Sequence, residues 1–135
     1  MGIECAVHDR LLSDHRDVLE RALSCADAVT AGWDGETTTD RDAVVDPYRA
    51  TLERAGLLEG LVAALVDAVV SAGGELAARP VADIPYLAVT SRGIVLRAPV
   101  AAGRVVATLG AFELDPYRRG PALPEALTVE VRTKN

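Results

Sequence analysis

LLEGLVAALVDAVVSAG, residues Leu57–Gly73, decides how the rest of the chain is read. Leu58, Leu61, Val62, Leu65, Val66, Val69 and Val70 would cover most of a helix over this stretch, leaving only Glu59, Ala63, Asp67 and Ser71 as a polar strip. The run is short for a bilayer span, which takes about 20 residues. A carboxylate near the bilayer centre costs about 2.5–3.5 kcal/mol, and Asp67 lies just past the middle of this segment. A helix buried inside a water-soluble domain is therefore expected over Leu57–Ala72, stopped by Gly73-Gly74.

Outward toward the N-terminus, positions 8, 11, 15, 18, 22, 25 and 29 follow a 4-3 spacing. They hold His8, Leu11, His15, Val18, Ala22, Cys25 and Val29, which predicts one long helix from Glu4 to Val29 with a narrow apolar stripe. Thr30–Asp42, with Gly32, Gly35 and three successive threonines, reads as a loop, and Trp33 as packing at the helix–loop junction. Asp46-Pro47 reads as the capped start of a second helix that ends near Ala55, before Gly56.

Outward toward the C-terminus, the period changes after Pro80. Tyr86–Thr90, Ile94–Ala98, Arg104–Glu113 and Leu127–Arg132 are rich in Val, Ile, Thr, Leu and Phe, the composition of strands. Ser91-Arg92-Gly93 and Ala101-Ala102-Gly103 predict two tight hairpins, and Asp115–Pro124, with three prolines, a loop. Helices first and strands afterward predict one α+β domain over residues 1–135. Three N-terminal helices (residues 4–79) pack on a C-terminal four-stranded antiparallel sheet (residues 84–133).

A chain of 135 residues, half of them hydrophobic and with mean hydropathy +0.18, can bury a proper core and is not a disordered or disulfide-stapled chain. Cys5 and Cys25 form no CxxC pair and no zinc ligand set, so they read as two small buried hydrophobes in a reducing cytoplasm. Met1–Arg16 lacks the apolar stretch of a signal peptide, which agrees with a cytoplasmic expectation. The net charge is −6 and is unevenly divided: residues 1–83 carry 16 acids against 7 bases, residues 84–135 carry 4 acids against 7 bases. Lys134 is the only lysine, a composition shared by proteins of halophilic archaea and of other GC-rich organisms.

Motifs for chemistry are sparse. GxSxG, HExxH, GxxxxGK[ST] and GxGxxG are all missing, so no catalytic residue, metal ligand or cofactor is assigned. His8 and His15 are seven residues apart, about 10.5 Å along a helix, too far to chelate one metal. The acidic loop Asp34, Glu36, Asp40, Asp42 lacks the central glycine and closing glutamate of an EF-hand. Asp-Pro-Tyr-Arg occurs twice, at Asp46–Arg49 and Asp115–Arg118, the second continuing into Arg119. Arginine beside an aromatic ring suits recognition of carboxylates, phosphates or nucleotides, which makes Tyr48, Arg49, Tyr117, Arg118 and Arg119 candidate ligand- or partner-binding residues, with Arg92 added from the first hairpin. The aromatic interleaving that stacks bases is missing around Arg92, Arg97 and Arg104, which disfavours nucleic acid.

PYLAVTSRGIVLRAP (Pro85–Pro99), followed by a long hydrophobic strand and a proline-rich loop, resembles a family of small haloarchaeal proteins known as a domain of unknown function. The resemblance covers the C-terminal third, and its motifs imply structure rather than an activity. The function expected from the whole sequence is a non-enzymatic, self-associating interaction or regulatory module, its partner a second copy in a homodimer or another protein. The alternative is a small-anion or nucleotide ligand-binding or enzymatic domain built on Tyr117–Arg119.

Overall fold

The computed structural model describes residues 2–101 and 103–133. Ala102 of the second expected hairpin turn and Lys134 lie outside the described residues. Four helices come first: α1 (Ile3–Asp14), α2 (Arg16–Ala31), α3 (Val45–Arg54) and α4 (Leu58–Ser71). Seven strands, one of them placed among the helices, form two antiparallel sheets. β2 (Leu87–Val89), β3 (Ile94–Val100), β4 (Gly103–Leu109) and β7 (Leu127–Thr133) pair in that order. β1 (Thr37–Thr38), β6 (Tyr117–Arg119) and β5 (Phe112–Glu113) pair in the order β1-β6-β5. The α+β class holds, and the larger sheet has the expected four strands.

The expected count of three helices is corrected to four. The long first helix breaks at His15, whose backbone (φ −122°, ψ 20°) leaves the helical region. Ser13-Asp14-His15 and Asp17 are all weak helix formers, so the chain yields there to two different packing demands. The α1 part lies against α4 and β7, whereas α2 packs on α3. The break is pinned by His15 Nε2, which donates to Asp67 Oδ2 of α4 at 2.7 Å.

The two helix ends that set the α4 position are glycine-capped. Gly56 (φ 70°) and Gly73 (φ 88°) adopt the left-handed conformation that costs glycine nothing. In both, the next residue's N–H reaches back to the helix: Leu57 N to Leu52 O at 3.1 Å, Gly74 N to Val69 O at 2.9 Å. Between them α4 buries Leu61, Val62, Ala64, Leu65, Ala68 and Val69. Val70, expected among its covering apolar residues, is instead 55% exposed on an apolar groove between α4 and residues 76–82. Asp46 lies inside the first turn of α3 and does not cap it. The capping aspartate is Asp40, whose side chain accepts from Asp42 N at the head of a 3₁₀ turn, Arg41–Ala43.

Three further boundaries differ from expectation. The strand expected over Arg104–Glu113 stops at Leu109, where Gly110 N turns to Ala126 O (2.7 Å), and resumes as β5 in the second sheet. The expected loop Asp115–Pro124 contains β6, and the expected loop Thr30–Asp42 contains its partner β1, in register Thr37↔Arg118 and Thr38↔Tyr117. Trp33 closes this corner, donating from Nε1 to Ala43 O at 2.9 Å with its ring 6.2 Å from that of Phe112.

Candidate binding surface on the open face of the sheet

Strand alternation sends Leu96, Ala98, Val105, Ala107, Leu109 and Leu127 into the core beneath the helices. Their neighbours Arg97, Arg104, Thr108, Thr128, Glu130 and Arg132 therefore stand on the opposite, open face. The register places Arg104 directly opposite Arg132 across β4 and β7, and Arg97 beside Val106 on the β3 side. Val106 lies between Arg97 and Glu130 in register and is only 2% exposed, its methyl groups sheltered by the long stems beside them.

Two like charges directly opposed on a sheet repel in water. Arg132 is relieved by Glu130 through Nη2 at 2.7 Å. Arg97 Nη1 donates to the Pro85 carbonyl at 3.4 Å. Arg104 makes no ion pair among the described residues. This guanidinium row on the sheet, invisible until the strands are paired, was missed as a site. The clue lay in the alternation of Arg97, Arg104 and Arg132 with apolar residues.

The face ends in a cavity on each side. One, of about 370 Å³, is bordered by Arg104 and Arg132 with Pro99 and Thr133. The other, of about 540 Å³, is bordered by Arg92 and Arg118 with Thr108 and Thr128.

The candidate residues of the two Asp-Pro-Tyr-Arg segments do not converge. Tyr48 is fully buried; its hydroxyl donates to Ala22 O at 2.8 Å and its ring stands edge-on to Phe112 at 5.1 Å. Burial, with the nearby Cys25 adding to it, raises the Tyr48 hydroxyl above its ordinary pKa. Arg49 lies on the α3 surface paired with Glu53 at 3.0 Å. Arg119 is turned inward as a strut: Nε donates to Asp27 Oδ1 at 2.8 Å, and Nη1 donates to the carbonyls of Ala111 and Gly120, each at 3.0 Å. Tyr117 is half-buried beside Thr39 and Pro116, in a different hollow from Arg92. Arg92 and Arg118 share one cavity, and Arg118 and Arg119 border another of about 410 Å³, beside Thr30, Glu36 and Thr37.

The histidines serve inside the chain. His8 Nε2 donates to Leu127 O at 3.1 Å, tying α1 to the first residue of β7. His15 and Arg10 both hydrogen-bond Asp67, and these bonds, His15 first, hold its carboxyl below the usual carboxylate range against the opposing effect of burial. Arg10 Nε also pairs with Asp14 at 3.0 Å. Burial pushes the Cys25 thiol up, so it behaves as a core residue, whereas Cys5, expected to be buried as well, is exposed on α1. No described helix is long and apolar enough to cross a membrane.

The molecule is thus an α+β domain with helices on one side of an antiparallel sheet and a cationic open face on the other. Residues 5–132 match the family Domain of unknown function (DUF7988), and the chain belongs to that family. No curated protein and no solved structure matches it.

Proposed function

We propose that this protein is a non-enzymatic, self-associating interaction module in which the guanidinium row of one copy's open sheet face meets the acid-rich helical side of another. The observation that carries this is Arg104, directly opposite Arg132 on a solvent-facing sheet and without a carboxylate of its own. An apposed carboxylate converts that repulsion into charge-assisted hydrogen bonds, and arginine takes carboxylates two-pronged. Residues 1–83, with 16 acids, supply them on the same chain, including Asp9, Asp17 and Glu20, all exposed.

The contact joins two different surfaces, so it is heterologous and builds rings or chains unless it closes on two copies. The same proposal takes the protein as cytoplasmic, supported by its two free thiols. Screening shortens from about 10 Å at 0.1 M salt to about 3 Å at 1 M, leaving only directly touching pairs at high salt. Light scattering across a dilution series tests the proposal. Association at about 0.05 M salt that weakens at about 1 M is expected. A monomer at every concentration in low salt overturns it.

A further inference from the structure

The cavity at the β5 end of the open face has a charge composition that the self-association proposal does not use. Four segments supply its ionic groups. Arg92 comes from the turn between β2 and β3, Glu113 from β5, Arg118 from β6, and Glu125 from the turn before β7. The backbone fixes their relative positions. Phe112 N donates to Arg92 O at 3.0 Å, which ties the turn to β5, and Glu113 stands in register with Arg118. Two opposed threonines, Thr108 and Thr128, line the same cavity, and Leu114 and Pro121 give it an apolar wall. Its volume of about 540 Å³ lies within the range of small-molecule sites, about 300–1,000 Å³.

Two guanidinium groups and two carboxylates leave the cavity without net charge. A phosphate would bring two negative charges toward Glu113 and Glu125, and a simple cation would face Arg92 and Arg118. Arg118 and Glu113 partly neutralise each other, Nε to Oε1 at 3.9 Å. Arg92 and Glu125 make no ion pair among the described residues, so one cation and one anion remain for a ligand. We infer that this cavity binds a small zwitterion with an apolar stem, such as a free aliphatic α-amino acid. Arg92 takes its carboxylate, Glu125 its ammonium group, and the Leu114–Pro121 wall its side chain.

The test is calorimetric titration of the full chain with L-leucine, L-leucinamide, 4-methylpentanoate and inorganic phosphate. Leucine is expected to saturate one site, and the two analogues that each lack one charge to bind at least about tenfold more weakly. Arg92→Gln and Glu125→Gln are each expected to weaken leucine binding by at least about tenfold with melting temperature unchanged. Arg104→Glu is expected to leave the titration as it is, because Arg104 lies about 13 Å along β4 from Thr108; that variant separates this site from the self-association surface. Phosphate binding as tightly as leucine, leucine failing to saturate, or unchanged binding in both Arg92→Gln and Glu125→Gln overturns the inference.

Discussion

Asp46–Arg49 and Asp115–Arg118 are the same four residues placed in opposite environments. In the first copy the chain continues as α3, so Tyr48 points to the core, where Ala22 accepts its hydroxyl and Phe112 meets its ring edge. In the second, Asp115 takes a left-handed backbone (φ 64°), tolerated by aspartate, and the chain enters β6. There Tyr117 is only half-buried and Arg118 looks onto a cavity. Identical local chemistry thus opens a helix or turns into a strand according to which side has a core to fill. A tetrapeptide specifies where an element begins; the partners that bury it come from α2 and β5, far along the chain.

The contrast can be broken at its strong end first. Tyr48→Ala removes a wholly buried aromatic ring and is expected to cost about 3–5 kcal/mol in chemical denaturation. An equal loss in Tyr117→Ala would abolish the distinction; about 1 kcal/mol is expected there, because that ring is only partly buried. Arg119→Ala comes between them at about 2 kcal/mol, since it strips a charged donor from Asp27 and from the Gly120 carbonyl, while the Ala111 carbonyl keeps its bond from Gly120 N. Arg49→Ala, which removes only a surface pair with Glu53, is expected to change stability by less than about 0.5 kcal/mol.

A gentler effect is expected at the junction of α1 and α2. The native Asp67 carboxyl titrates below its unfolded value, so its contribution is full above about pH 4 and disappears as the pH falls through the native value. His15→Gln weakens the largest cause of that lowering. Melting curves at about pH 5 and pH 3 should show a smaller acid-induced loss for His15→Gln than for the parent chain. An unchanged loss would mean that Arg10 alone holds Asp67.

Long-period features were legible before any coordinates. The apolar circumference of Leu57–Ala72, the glycines behind α3 and α4, and the Ser91-Arg92-Gly93 turn each carry their own local signal. The break at His15 was hidden because the 4-3 stripe runs straight through it. Breaking the helix depends on Asp67, 52 residues away. The β1-β6-β5 sheet was hidden because strands of two or three residues have no measurable period. Arg92 and Arg118 were picked out from their neighbourhoods in the chain, but Glu113 and Glu125 acquire meaning only once four segments meet around one cavity. Tyr48 was grouped with ligand-binding residues because nothing within its tetrapeptide distinguishes it from Tyr117.

The proposed self-association rests on the arginines of the open face rather than on any apolar stripe of the helices. Sedimentation equilibrium of the Arg104→Glu/Arg132→Glu double variant at low salt tests it most directly. A monomer that melts within a few degrees of the parent chain is expected; assembly as strong as the parent's would show that these arginines do not carry the contact.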